Sequence, residues 1–218
     1  MEGLTQHYPL TLDKILRRAN RVFPDKEVVS VLPSGKRHRY TYADLYRRTV
    51  RLMNALRKLG VKPGDRVATF LWNDHRHLEL YYAIPCVGAV THTLNIRLFA
   101  DQLTYIVNHA EDTLVFVDET LLKPLEEIAP GLKTVRRYVV VSESGRTPQT
   151  SLAPLGDYET LLAAVDDTED FPELDERTAC GLCYTSGTTG HPKGALYSHR
   201  GIFVHTLMAG QVDMLGLS

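Results

Sequence analysis

Between Arg66 and Val141 the sequence alternates short apolar runs with longer amphipathic runs, and this alternation restricts the fold more than any other feature. The apolar runs predict four strands, at Arg66–Trp72, Gly88–Thr93, Leu114–Val117 and Arg137–Val141. The amphipathic runs predict helices between them, at His75–Cys86, Leu98–His109 and Glu119–Ala129. Alternating strands and helices are typical of an α/β fold with a largely parallel sheet and right-handed crossovers. We therefore predict an α/β protein.

The flanking segments add further elements. Thr41 and Asp44 form a capping-box pattern that predicts the start of a helix over Tyr42–Leu59, and Gly60 is placed to end it. The other predictions are a helix from Thr11 to about Arg21, a hairpin of Glu27–Leu32 and Lys36–Tyr40, a helix at Tyr158–Val165, strands at Ala179–Thr185 and Gly194–Ser198, and a final helix from Ser198 or His199 toward Leu215.

The last two strands enclose the most chemically distinctive stretch, Tyr184–Gly194, in which residues Thr185 to Gly194 include three glycines, four hydroxyl side chains and one lysine. Glycines let backbone N–H groups turn inward to form a nest for an anion, and hydroxyl groups and a lysine add further donors. The stretch is not a Walker A loop, because Pro192 and Gly194 stand where that motif needs glycine and Ser/Thr. The alternatives are a polyphosphate-binding loop and a hairpin loop without a ligand.

The order Thr-Ser-Gly-Thr-Thr-Gly-x-Pro-Lys-Gly resembles the phosphate-loop signature of the adenylate-forming enzymes, which include acyl-CoA synthetases and luciferases. The resemblance extends over the chain from about residue 11. The segments Gly88–Leu98, in which Ile96 replaces a usual proline, and Leu103–Asp112 are part of it, and the second is most similar to medium- and long-chain fatty acyl-CoA synthetases.

The resemblance implies an ATP-dependent fatty acid–CoA ligase, which adenylates a carboxylate with release of pyrophosphate and then passes the acyl group to CoA. It implies ATP, Mg²⁺ and CoA as cofactor and co-substrates, with no magnesium ligand assigned here and no catalytic residue assignable. The residues implied to hold the β- and γ-phosphates are Thr185, Ser186, Gly187, Thr188, Thr189, Gly190 and Lys193.

The same resemblance implies that residues 1–218 are the amino-terminal part of the large domain of such an enzyme. The adenine and acyl pockets, the metal-binding glutamate and the mobile carboxy-terminal domain would then lie in a remainder. A second hypothesis is a non-catalytic nucleotide-binding module, or a subunit fragment that needs a separate remainder. A coding sequence that continues past Ser218 would favour the first hypothesis.

Other clusters carry weaker signals. Cys180 and Cys183 match Cys-x-x-Cys, but odd spacing along a strand puts their side chains on opposite faces, so we interpret them as small buried residues. Trp72, Tyr81 and Tyr82 are predicted to be core residues. The segment 166–170 is predicted to be a solvated linker, and Asn73–His77 is expected either to line a cleft or to cap the next helix.

None of the nine histidines has a metal-binding spacing, and His199 draws attention because it stands at the end of the strand that leaves the phosphate loop. A net charge of −1 gives no indication of a nucleic-acid partner. No apolar run of about 18 residues predicts a membrane span. Three cysteines favour a reducing compartment, so we predict a cytoplasmic protein. A homodimer is left open.

Overall fold

The structure is a computed structural model that describes residues 7–146, 148–185, 192–211 and 213–215. Its strands are β1 Glu27–Val31, β2 Arg37–Thr41, β3 Arg66–Phe70, β4 Val90–Thr93, β5 Asp112–Asp118, β6 Arg137–Val141, β7 Leu155–Asp157, β8 Ala179–Thr185 and β9 Lys193–Ser198. Its helices are α1 Leu12–Val22, α2 Tyr42–Lys58, α3 His75–Cys86, α4 Ala100–Ala110, α5 Leu122–Ile128, α6 Tyr158–Ala163 and α7 His199–Ala209.

The main sheet has the order β7-β6-β5-β3-β4-β8-β9 within the described residues. Each neighbouring pair from β7 to β8 is parallel, and β9 alone runs antiparallel, against β8. The α/β prediction with a largely parallel sheet is therefore confirmed. Strands β1 and β2 form a separate antiparallel hairpin, also as predicted.

Two apolar layers cover the two faces of the sheet. Alternate residues of each central strand face opposite sides, so that in β5 Phe116 lies in one layer and Val115 in the other. Phe116 packs with Leu56 of α2 and Ile84 of α3, whereas Val115 packs with residues of α4 and α5. The strands are buried on both sides, which is the arrangement expected of a parallel sheet.

The predicted helix Glu119–Ala129 is wrong in detail. A short 3₁₀ turn occupies Glu119–Leu121, and α5 begins only at Leu122. The cause is Pro124, which has no N–H to donate to the carbonyl of residue 120 and so interrupts the hydrogen bonds of a single helix over Glu119–Ala129. Restarting the helix at Leu122 puts the proline in the first turn, where no donor is required. The short strand β7 is also missing from the sequence-based predictions.

The acidic segment 166–170 has exposed side chains, as predicted for a solvated linker. Its backbone is nevertheless attached to α2. The Asn54 side-chain amide donates to the carbonyls of Asp166 and Thr168 at 3.1 and 3.0 Å, and Arg57 donates to the carbonyl of Asp170. The segment therefore follows a defined path across the helix to β8.

Candidate functional site

The β8–β9 hairpin places the candidate loop at one edge of the sheet. Strand β8 runs parallel to β4, and Lys193 of β9 pairs with Thr185 at its end. The Thr185–Lys193 end of the stem therefore lies where the carboxyl ends of the parallel strands meet, which is where open α/β sheets bind ligands.

Two of the predicted phosphate-binding residues lie in the described part of the chain. The Thr185 hydroxyl donates to the Lys193 carbonyl at 3.5 Å, across the mouth of the hairpin. Lys193 is exposed, and none of the described residues forms an ion pair with its ammonium group. Ser186, Gly187, Thr188, Thr189 and Gly190 lie outside the described residues, so their expected role in holding the phosphates stays a prediction.

A cleft of about 400 Å³ lies beside the hairpin at the same edge; we call it the carboxyl-edge cleft. Polar groups come from the segments that follow β3 and β4, and the Asn95 carboxamide oxygen accepts from the Arg97 backbone N–H at 3.0 Å. Arg97 is exposed. The lining residues are Leu71, Trp72, Asn73, His77, Tyr81, Thr93, Leu94, Asn95, Ile96, Arg97, Cys183 and Tyr184.

A second space of about 270 Å³, which we call the apolar cavity, lies between β8 and helices α1, α3 and α7. Its walls include Leu12, Ile15, Leu78, Tyr81, Tyr82, Pro85, Thr91, Thr93, Cys180, Gly181, Leu182, Cys183, Tyr197, Ile202 and Thr206. Tyr81, Thr93 and Cys183 line the carboxyl-edge cleft as well. The two spaces therefore adjoin at these three residues.

The prediction that Trp72 and Tyr81 are core residues is wrong. Their exposed fractions are 42% and 43%. Trp72 follows the end of β3 and donates its indole N–H to the Thr120 hydroxyl at 3.0 Å, which holds the ring at the rim of the cleft. Both aromatic residues line the carboxyl-edge cleft, so the polar groups of their side chains lie near the carboxyl ends of the strands.

The run Asn73–His77 caps the following helix. Asp74 accepts from the backbone N–H groups of Arg76 and His77 at 2.9 and 3.2 Å, and pairs with the buried Arg76 guanidinium. Burial opposes ionisation of Asp74, but the hydrogen bond and charge of Arg76 outweigh it and lower the pKa of the carboxyl group. Arg76 also donates to the Ser142 carbonyl at 3.0 Å, so this pair joins α3 to the end of β6.

His199, which follows directly after β9, does not face the carboxyl-edge cleft. It is fully buried, and its Nδ1 accepts from the Leu12 backbone N–H at 3.3 Å. Burial lowers the pKa of the imidazole, which favours the neutral form that this bond requires. His199 therefore joins α7 to α1. Cys180 is buried as predicted, whereas Cys183 is half-buried and lines both spaces.

Sequence reasoning missed a polar cluster around Tyr184. The Tyr184 hydroxyl and His109 Nδ1 share a hydrogen bond of 2.6 Å, and the Tyr184 ring lies 5.2 Å from that of His92. His92 in turn bonds Asp112 at 2.7 Å, with both side chains fully buried. Burial raises the pKa of Asp112 against the opposing effect of His92. No spacing in the sequence identifies this cluster, because its members come from four separate elements.

The described residues contain neither a candidate metal-binding cluster nor a helix that could span a membrane. No cluster of His, Cys, Asp or Glu with the arrangement of a metal site occurs among them. None of their helices combines the length and apolar character needed to cross a bilayer.

Comparison with known proteins gives consistent matches. A family model described as AMP-binding enzyme matches residues 16–215. The chain is 41% identical over 218 residues to a medium-chain-fatty-acid–CoA ligase of Ectopseudomonas oleovorans, covering 100% of this chain and 40% of that protein. It is 49% identical over 209 residues to a long-chain-fatty-acid–CoA ligase of Thermus thermophilus, covering 96% of this chain and 37% of that one.

Among solved structures, an anthranilate CoA ligase in complex with anthranoyl-AMP aligns with a TM-score of 0.80 at 24% identity. The alignment covers 98% of this chain and 39% of that structure, and it supports the fold. The chain spans about 40% of the length of the curated relatives it matches.

Proposed function

The chain belongs to the AMP-binding enzyme family, and from this premise we propose that the protein carrying it is an ATP-dependent fatty acid–CoA ligase. In the first half-reaction, a carboxylate oxygen attacks the α-phosphorus of ATP. A bond forms between that oxygen and phosphorus, and the bond to the β-phosphate oxygen breaks to release pyrophosphate. In the second half-reaction, the CoA thiol attacks the acyl carbon and AMP leaves.

The observation that carries the proposal is the position of the Thr185–Lys193 stem at the carboxyl edge of the sheet, beside a cleft that shares three lining residues with an apolar cavity. A triphosphate at the hairpin and a hydrocarbon acid in the cavity would meet at the residues shared by the two spaces. The proposal therefore puts part of the acyl site in the present chain, whereas the sequence resemblance implied an acyl pocket in the remainder. Lys193 would neutralise charge on the leaving pyrophosphate, and the loop hydroxyls and N–H groups would orient it.

The substrate class follows from the walls of the apolar cavity. Leu12, Ile15, Leu182 and Ile202 offer a hydrocarbon surface, which suits an acyl chain and offers nothing to a charged side chain. The fatty acid–CoA ligases among the relatives support the same class. Triphosphate chemistry implies Mg²⁺, which commonly binds through substrate phosphates. The described residues supply no acidic cluster for it, and no step above depends on a protein ligand to the ion.

Acid-dependent exchange of labelled pyrophosphate into ATP tests the proposal. The protein containing this chain should catalyse exchange with saturated fatty acids and not in their absence. ATP binding without acid-dependent exchange would instead favour a nucleotide-binding module that performs no adenylation.

A further inference from the structure

We propose that Tyr184 and His109 form a latch that positions the stem of the β8–β9 hairpin, and with it Lys193. The inference rests on the proposed function and adds two positioning residues to it. Neither residue belongs to the loop signature, and they lie 75 positions apart in the chain.

The first observation is how Tyr184 is held. It pairs with Gly194 across the hairpin, one position before the Thr185–Lys193 pair. Its hydroxyl shares the 2.6 Å hydrogen bond with His109 Nδ1, and the two rings meet edge to face at 5.9 Å. The Tyr184 ring also lies against the ring of His92 of β4, with 5.2 Å between the ring centroids. Two elements outside the hairpin therefore fix this one ring.

The second observation is that His109 is itself anchored. Its ring stacks on that of Tyr105, at 5.2 Å and 27°, one turn earlier in α4. The adjacent Asn108 donates to the Gly131 carbonyl at 2.9 Å and accepts from the Lys133 N–H at 2.8 Å. The end of α4 is thus tied to the segment that leads to β6, and His109 is a fixed point for the hairpin.

The third observation is the glycine opposite the ring. A Cβ on Gly194 would lie 3.1 Å from the Tyr184 ring and 3.1 Å from Leu182. A Cβ on Gly181, also in the hairpin, would make only ordinary contacts, the nearest at 3.5 Å. The backbone at position 194 therefore leaves the space that the Tyr184 ring fills, and a side chain there would push the ring away from His109.

The consequence concerns the first half-reaction. Because the latch lies one residue pair from Lys193, a shift of the ring moves the stem that carries the ammonium group. Charge stabilisation and alignment of a leaving group depend on positions held within a fraction of an ångström to one ångström. The thiol-transfer step, in which pyrophosphate has already left, does not require that alignment.

The variants are Tyr184→Phe, His109→Leu, their combination, and Gly194→Ala, with Tyr138→Phe on β6 as the matched control. In the protein containing this chain, each latch variant should raise the KM for ATP and lower the rate of pyrophosphate exchange by about three- to tenfold. The KM for the fatty acid and the rate of thioester formation from pre-made acyl-adenylate should stay unchanged. The double variant should be no worse than the more impaired single variant, because the two residues act as one unit.

Equal losses in both half-reactions would show a merely structural role and overturn the latch, as would additive effects or unchanged kinetics. If the wild-type protein shows no acid-dependent exchange, the proposed function fails, and calorimetric binding of inorganic triphosphate decides the latch. The latch then requires weaker triphosphate binding in Tyr184→Phe and His109→Leu than in Tyr138→Phe; equal binding would overturn it.

Discussion

Gly181 lies in the wall of the apolar cavity, and its missing side chain contributes to the volume of that cavity. A Cβ there would meet only Ile202 and Tyr197 at ordinary contact distances, so Gly181→Val should fold. The added methyl groups would project into space that an acyl chain needs. We predict that the KM for long fatty acids rises about tenfold or more while that for short acids changes little. Exchange assays over a series of chain lengths measure this, and a uniform change at all lengths would refute the assigned cavity.

His75 shows how a single residue makes stability depend on pH. Its ring stacks on that of His38 at 3.8 Å. Burial, together with the charges of His38, Arg76 and Arg48 and against the opposing charge of Asp74, lowers the pKa of His75 from 6.5 to about 3. The unfolded chain then binds a proton more readily than the folded one, so stability is lost as the pH falls below about 6.5.

We expect this group to contribute a loss of about 1–2 kcal/mol in the free energy of unfolding between pH 7 and pH 5. His75→Phe keeps a ring in the stack but cannot titrate, so its loss over the same range should be smaller. Urea denaturation at both pH values measures the difference. An identical loss in the two proteins would show that protonation of His75 is not coupled to unfolding.

At the scale of elements, the N-terminus of α2 is set by a reciprocal capping box. The Asp44 N–H donates to the Thr41 hydroxyl at 3.2 Å, and the Thr41 N–H donates to the Asp44 carboxylate at 3.0 Å. Thr41→Ala removes one acceptor and should cost about 1 kcal/mol of stability, whereas Thr41→Ser keeps the oxygen and should cost only a few tenths. Thermal denaturation distinguishes the two, and equal costs would indicate lost methyl contacts instead of a lost cap.

The capping box could be predicted from the sequence because its two members are three residues apart. The bounds of α3 and β8 were also predicted correctly, because they too depend on signals within a short stretch of sequence. Local signals do not report which elements meet. The Tyr184–His109 contact depends on the order of strands in the sheet, and the exposure of Trp72 depends on where the sheet ends. Pro124 is present in the sequence, but the sequence alone did not show that the helix predicted to start at Glu119 would instead start at Leu122.

At the scale of the whole molecule, the edge strand β9 and the helix α7 that follows it carry exposed apolar side chains. β9 is an edge strand in the described residues, and Leu196, Leu207 and Met208 have exposed fractions of 64%, 56% and 56%. Unpaired strand edges with apolar side chains promote association. We predict that the 218-residue chain self-associates and that Leu196→Lys reduces its average mass in light scattering. A monomeric wild-type chain at high concentration would contradict this.

For the molecule as a whole, we expect the β8–β9 hairpin to act in adenylation and not in thiol transfer. The two half-reactions can be measured separately, by pyrophosphate release in a single turnover and by thioester formation from pre-made acyl-adenylate. Lys193→Ala removes the exposed cation at the hairpin, and Lys62→Ala removes an exposed lysine in the turn before β3, at the opposite edge of the same sheet.

In the protein containing this chain, Lys193→Ala should slow adenylation by about ten- to hundredfold, the loss of one charge-assisted contact of about 1.5–3 kcal/mol, with thioester formation unchanged. Lys62→Ala should leave both steps at the wild-type rate. Equal slowing of the two half-reactions by Lys193→Ala, or unimpaired adenylation, would contradict the role assigned to the hairpin.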